Sequence, residues 1–361
     1  MSERVVVAMS GGVDSSTTAT LLVERGCDVV GVMMRLWAGL GPDGSQYNRC
    51  CSPEAVADAR AVCVRLGIPF HLLNFEAPFK QYVVDYFLDG YARGITPNPC
   101  LECNRHVKFD ALLKQALALG ADYLATGHYA RLRRLEDGSV QLLQGVDSLK
   151  DQSYALSMLT QQQLSRSLFP LGDYSKTQVR QMARERNIMV AEKSESQELC
   201  FVQKNYREFV QEQRPEAFVP GPILDTRGEV VGRHDGLPAY TIGQRKGLNM
   251  AVGQPQYVVA LDPARNALIV GSQRDVWQER ALAANVNWIA GVAPTVPIQA
   301  NVKIRYKSDE VPARVEPLAG SRARIVFDAA QRALTPGQAA VFYDGPVCLG
   351  GGIITHVGLS E

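Results

Sequence analysis

The feature that most constrains this chain is the stretch VVVAMSGGVDSS, from Val5 to Ser16. Three β-branched residues followed by Ala and Met suit a buried strand. Two adjacent glycines end it, and a helical pattern runs at once from about 15 to 25, with Gly26 as its stop. A strand that leaves through a Gly-rich turn straight into a helix builds an anion cradle. The first backbone N–H groups of the helix point at a phosphate, and glycine lets the backbone come close. Ser10, Ser15 and Ser16 add hydroxyl donors. The competing reading is an ordinary βα turn with Asp14 or Ser15 capping the helix. Three hydroxyl donors and paired glycines in so short a turn favour phosphate. The turn is neither G-x-x-x-x-G-K-[ST], since no lysine follows the glycines, nor G-x-G-x-x-G.

The next stretches keep the alternation. CDVVGVMMRLW (27–37) and IPFHLLNF (68–75) read as strands, separated by the polar loop PDGSQYNRCCS and a helix over 53–66 with Ser52 as cap and Pro53 first. Helices over 78–93 and 105–119 follow, and ADYLATGHYA (121–130) reads as another strand. This pattern predicts an α/β fold with a doubly wound parallel sheet and ligands at the strand C-termini. Past about 205 the character changes. Residues 218–275 carry short strands with Gly and Pro turns, and from about 280 segments such as VKIRYK and ARVEPL alternate as in a small antiparallel barrel. The expected division is therefore 1–205 catalytic, 206–278 a small central β-rich domain and 279–361 a C-terminal β-barrel. A length of 361 residues suits two or three domains. The net charge of +1 excludes a strongly basic coat but leaves room for a local basic groove. RLRR at 131–134 and the seven Lys or Arg against four Glu between 176 and 207 are candidates for one. No apolar run approaches the ~20 residues of a membrane span. The start MSERVVV lacks the build of a signal peptide. The expectation is a cytoplasmic protein with no membrane partner.

In such a compartment eight cysteines point to buried thiols, metal sites or catalysis rather than a disulfide framework. Cys27, Cys63 and Cys348 read as packing; Cys50 and Cys51, adjacent in a polar loop, stay unassigned. TPNPCLECN (96–104) is different: two prolines make a rigid loop, and Cys100-x-x-Cys103 enters a helix, where a thiol is more readily ionised. Cys200, in KSESQELCFV, is the third candidate. A zinc site from Cys100, Cys103 and Cys200 would need a fourth ligand, for which His106 has the spacing but reads better as a helix-surface residue.

SGGVDSS resembles the pyrophosphate-binding loop of ATP pyrophosphatases, which split ATP between its α and β phosphates. Taken with TPNPCLECN, ATGHYAR, KDQSYAL, ELCF, TIGQRKGL and PGQAAVFYDGPVCLGGGII, which run in order across nearly the whole chain, it is similar to the tRNA-specific 2-thiouridylase family (MnmA type). The resemblance implies an adenine nucleotide α-hydrolase-like catalytic domain and a tRNA-uridine 2-sulfurtransferase. Such an enzyme uses ATP with Mg2+ to adenylate the C2 oxygen of the wobble uridine (position 34) and replaces it with sulfur, releasing AMP and pyrophosphate. It implies ATP contacts at Ala8, Met9, Ser10, Gly11, Gly12, Val13, Asp14, Ser15, Ser16, Met34 and Gly127. Cys200 would bear a persulfide, supplied by a sulfur-donor protein. Cys103 would be the second catalytic thiol, releasing the sulfur and closing a disulfide with Cys200. Contacts with tRNA would come from Asn98, Pro99 and Cys100 at the base, and from His128, Lys150, Asp151, Gln152, Arg305, Tyr306 and Gln338 elsewhere.

At Cys100 the chain departs from a common family pattern, which has Asp there. The change removes a carboxylate available for acid–base work and completes a set of three thiols. Cys100, Cys103 and Cys200 could then hold a four-iron four-sulfur cluster carrying hydrosulfide instead of a persulfide. Two other readings stand beside these: an amide- or amine-forming ligase using the same loop, and a non-catalytic RNA-binding or iron–sulfur sensor protein.

Overall fold

The computed structural model describes residues 2–37, 39–40, 46–47, 51–194, 199–202, 205–248 and 254–358. Its N-terminal part is built on a five-stranded parallel sheet. In spatial order the strands are Phe70–Asn74, Asp28–Arg35, Arg4–Met9, Tyr123–Ala125 and Ser167–Leu168. Val5, Val6 and Val7 are buried from both faces, as a central parallel strand requires. The first strand lies in the middle, with the next two on one side and the later two on the other. The order therefore reverses between Arg4–Met9 and Tyr123–Ala125, and a crevice opens at the C-terminal ends of those two strands.

The helix Val13–Glu24 follows the first strand, and Pro53–Leu66 follows the second. Ser52 caps the latter by accepting a hydrogen bond from the Ala55 N–H, with Pro53 in its first turn and Gly67 closing it at φ +67°. The two expected helices over 78–93 and 105–119 are present but differ in form. The first spans 76–92 and the second starts earlier, at Pro99, with Asn98 as its cap. Both contain wider π-helical stretches, Lys80–Asp85 and Cys103–Leu112.

The segment ADYLATGHYA is not one strand. Strand geometry stops at Ala125 and resumes at Ala130 in a different sheet. The cause is close packing: a Cβ on Gly127 would lie 2.9 Å from the Asp14 carbonyl carbon and 3.1 Å from the Ser15 nitrogen. The chain has to turn there to lie against the first helix. Strand Ala130–Arg134 then pairs with Val140–Gln144 as a hairpin, and that hairpin joins the C-terminal domain through Val347 opposite Leu143.

The C-terminal domain is a closed antiparallel barrel. Its ring runs Trp277–Trp288, Arg322–Arg332, Val311–Leu318, Ile298–Lys303, Ala339–Asp344 and Val347–Val357, which pairs back to the first. Between the two domains in sequence comes a four-stranded sheet of Val230–His234, Gly221–Leu224, Ala267–Gly271 and Tyr257–Asp262. One apolar core runs from the catalytic sheet into the barrel and includes Leu124, Phe109, Tyr154, Val341, Tyr343 and Cys348. Barrel and catalytic domain are thus packed as one body around the thiol-bearing helix.

Candidate active site

The first turn forms as an anion cradle. Gly12 caps the helix Val13–Glu24 with extended backbone and no side-chain hydrogen bond, so neither Asp14 nor Ser15 takes the cap role. The first N–H groups are left for a ligand. Gly11 stands at φ +69°, and a Cβ there would lie 2.3 Å from the Ala55 carbonyl oxygen. Glycine is therefore demanded twice, by conformation and by the neighbouring helix. Ser15 Oγ accepts the Ser10 N–H at 3.1 Å, and Ser16 Oγ donates to the Gly12 carbonyl at 2.9 Å. Asp14 faces a buried partner: Lys176 Nζ lies 2.8 Å from both carboxylate oxygens, and Tyr129 OH donates to Oδ1 at 2.7 Å.

A cavity of about 380 Å³ opens beside this cradle, at the reversal point of the sheet. One wall is Ala8, Met9, Ser10, Asp14 and Ser15, with Met34 at the end of the neighbouring strand. Gly127 and His128 complete that side. The opposite wall brings Pro99, Cys100 and Cys103 together with Leu199, Cys200 and Phe201. Cys103 and Cys200, far apart in sequence, thus share one chamber with the phosphate cradle. Both are half-buried, whereas Cys100 is exposed. Among the described residues no three Cys, His, Asp or Glu side chains are grouped as metal ligands, although the three thiols line the same cavity. The remaining described cysteines behave as packing. Burial pushes the Cys63 thiol up to about 11 and raises Cys348 further, and burial also raises Cys27. The Cys51 thiol points at the Leu36 carbonyl, 3.8 Å away; Cys50 lies outside the described residues.

Family models match in three consecutive blocks. The tRNA methyl transferase HUP domain covers residues 3–204, the tRNA methyl transferase PRC-barrel domain 207–272 and the aminomethyltransferase beta-barrel domain 278–354. The tRNA-specific 2-thiouridylase of Moorella thermoacetica is 52% identical over 354 residues, which is 98% of this chain and 99% of that protein. That of Roseiflexus sp. strain RS-1 is 50% identical over 371 residues, again 98% and 99%. The chain belongs to the tRNA-specific 2-thiouridylase family. The model descriptions speak of methyl transfer, but half-identity along the full length of both proteins decides for thiolation. A solved 4-thiouridine synthetase–RNA complex with bound ATP overlays 59% of this chain and 51% of that one at 20% identity and a TM-score of 0.35, a likeness too slight to argue from.

The family's tRNA-linked positions fall in distinct places. Pro99, Cys100, His128 and Gln152 line the central cavity. His128 is buried between Phe109 and Phe169, with Nδ1 2.6 Å from Thr126 Oγ1. Burial, and then the Lys108 ammonium, hold its imidazole neutral, with a pKa well below the ordinary value. Gln152 Oε1 accepts the Tyr129 N–H at 3.0 Å. Asp151 is buried, and its carboxylate accepts from the Gly145 and Ser153 N–H groups and the Ser153 hydroxyl. A second groove of about 550 Å³, between domains, is lined by Leu149, Asp151, Lys303, Tyr306 and Lys307. Leu149 is 89% exposed there, beside the half-exposed Tyr306 ring. Arg305 is turned inward, toward the Ala333 carbonyl and Thr335 Oγ1.

Gln338 does something that sequence reasoning did not anticipate. Its Nε2 donates to the Thr96 carbonyl at 2.9 Å, and the Thr96 N–H donates to the Pro336 carbonyl at 3.1 Å. Gly337 stands between them at φ +93°, and a Cβ there would meet Thr96 O at 2.6 Å. The barrel's PGQ turn is thus a clamp on the loop that leads through Asn98 into the helix of Cys100 and Cys103. Sequence reasoning also missed Asn104, Lys108 and the Lys176–Asp14 pair. The signal for Asn104 and Lys108 was their four-residue spacing, which shares a face on any helix; the π-helical turn adds Cys103, five before Lys108, to that face.

Proposed function

We propose that this chain catalyses ATP-dependent 2-thiolation of the wobble uridine of tRNA through a cysteine persulfide. The observation that carries the reading is the single cavity shared by the uncapped helix N-terminus, Cys103 and Cys200. A uridine carbonyl is a poor electrophile, and oxide leaves badly. In the proposed reaction the uridine O2 attacks the α-phosphorus of ATP, and pyrophosphate departs into the cradle of residues 10–16. Mg2+ enters as part of the nucleotide substrate. The terminal sulfur of a Cys200 persulfide then attacks C2, and AMP leaves with the original oxygen. The Cys103 thiolate attacks Cys200 Sγ, which frees 2-thiouridine and closes a Cys103–Cys200 disulfide. An external dithiol, or two thiols in succession through a mixed disulfide, reduces that disulfide before the next turnover.

The persulfide itself comes from a sulfur-donor protein. An iron–sulfur route through Cys100, Cys103 and Cys200 finds less support, since these thiols are not grouped as metal ligands, and no step is assigned to a cluster. Asn98, Pro99, Cys100, His128 and Gln152 surround the extruded base, and Lys150, Tyr306 and the groove beside them follow the RNA strand, whereas Arg305, engaged by the Ala333 carbonyl and Thr335 Oγ1, holds that segment in place. Among the described residues no helix is long and apolar enough to cross a membrane.

The test is direct. Purified protein, ATP, a persulfide source and unmodified tRNA are incubated, and the tRNA is digested for mass analysis. The expected product is 2-thiouridine at the wobble position, with AMP and pyrophosphate in equal amounts. Full activity from colourless, iron-free protein supports the persulfide route; activity strictly dependent on bound iron contradicts it.

A further inference from the structure

The thiol-bearing helix places a second feature in the cavity. In the π-helical stretch Cys103–Leu112 the hydrogen bonds run from i to i+5, so residues four and five apart share a face. Cys103, Asn104 and Lys108 accordingly all line the cavity. Asn104 is 3% exposed. Its Nδ2 donates to the Ala155 carbonyl at 2.9 Å, which fixes the orientation of the amide, since a flipped amide would set oxygen against oxygen. Its Oδ1 is then left over. Among the described residues it is the one buried side-chain nitrogen or oxygen with no hydrogen-bond partner. A buried acceptor without a donor costs stability and calls for a ligand.

We propose that Asn104 reads the target base: its Oδ1 accepts the N3–H of the extruded uracil. This rests on the thiolation reading of the same cavity and names a residue for its base specificity. Uracil carries one ring donor, N3–H, between two carbonyl acceptors; cytosine carries a bare acceptor at N3. A fixed acceptor in the wall therefore rewards uracil and sets lone pair against lone pair for cytosine. The contact also assists the chemistry. Drawing on N3–H pushes electron density toward O2, the atom that has to attack the α-phosphorus.

The test compares equilibrium binding of two anticodon stem–loop RNAs, with uridine or N3-methyluridine at the wobble position, to the full chain with a non-hydrolysable ATP analogue. Wild-type protein is expected to prefer uridine by roughly 10–100-fold, the range for orphaning one buried polar group. Asn104→Leu should bring that ratio close to one. Asn104→Asp keeps an acceptor but loses the donor to Ala155, and it should keep the preference. A purely structural tether through Nδ2 predicts the reverse: loss of RNA binding in Asn104→Asp and an unchanged ratio in Asn104→Leu, and that result overturns the assignment. Water satisfying Oδ1 in place of the base predicts no preference in wild type, which also overturns it. Failure of the wild-type protein to thiolate the uridine RNA would instead defeat the functional reading, and the assignment with it.

Discussion

Replacing Gly337 by alanine should disable the thiols from a distance. Gly337 stands at φ +93°, where a Cβ would lie 2.3 Å from Ile95 Cγ2, 2.6 Å from Thr96 O and 2.8 Å from Thr96 C. The isoleucine methyl can rotate away, but the Thr96 backbone cannot. It is tied on both sides, by Pro336 O and by Gln338 Nε2. The left-handed conformation costs alanine about 1–2 kcal/mol, and overlap with fixed backbone adds about 1–3 kcal/mol. Relief comes by pushing the 95–98 loop away, and Asn98 caps the helix that carries Cys100 and Cys103. The expected result is an apparent melting temperature several degrees lower. Thiolation should fall about 100-fold, as a displacement near 1 Å in a catalytic group allows. The nucleotide cradle lies on the opposite wall, so the ATP dissociation constant measured by titration calorimetry should stay within about twofold. A Gly337→Ala protein with normal melting and normal thiolation would refute the clamp. So would one that lost ATP affinity in step with activity.

Further outcomes follow from the same geometry. Lys176→Met leaves the Asp14 carboxylate uncompensated beside the phosphates; it should cost about 2–4 kcal/mol of stability, the lower end reflecting Asp14's partial exposure, and weaken ATP binding. Adding Asp14→Asn should restore part of the stability in a urea melt. Lys108 is the Lys or Arg that lines the cavity among the described residues, and Lys108→Met should lower kcat/KM for pyrophosphate release about 100-fold if it steadies charge on the α-phosphate. His128 is held neutral in the fold, with its pKa well below the ordinary 6.5. Below that value the unfolded chain binds a proton that the folded one refuses, so stability falls as pH drops from 6.5 toward the depressed folded value. His106 and His234 are also lowered and add to the slope; His128→Gln should reduce it, as read from urea midpoints at neutral and mildly acidic pH.

What could be read from the sequence was what is local. The turn at Ser10–Ser16 is a run of residues whose chemistry acts on its immediate neighbours, so strand, cradle and helix were all legible there. The Ser52–Pro53 helix start was legible for the same reason. The parallel sheet and the barrel followed from alternation. The hairpin of Ala130–Arg134 and Val140–Gln144 was not, because its partner is Val347–Val357, two domains away. Nor was the break at Gly127, which exists because Asp14 and Ser15 press against it from more than a hundred residues earlier. The meeting of Cys103 with Cys200 could be expected only from resemblance, since nothing local in either segment specifies the other. Asn104 and Lys108, four apart, share a face on any helix, but nothing local says that this face meets the cavity; Cys103 joins them only because the turn is π-helical, which depends on tertiary packing.

The central claim is that the phosphate cradle and the paired thiols act in sequence within one cavity. It is tested most directly by mixing Cys200→Ser protein with ATP and unmodified tRNA in a single-turnover experiment that follows pyrophosphate and 2-thiouridine together. The account predicts a stoichiometric, tRNA-dependent burst of pyrophosphate with no thiolated base. Undiminished 2-thiouridine from Cys200→Ser, or pyrophosphate release indifferent to tRNA, would contradict it.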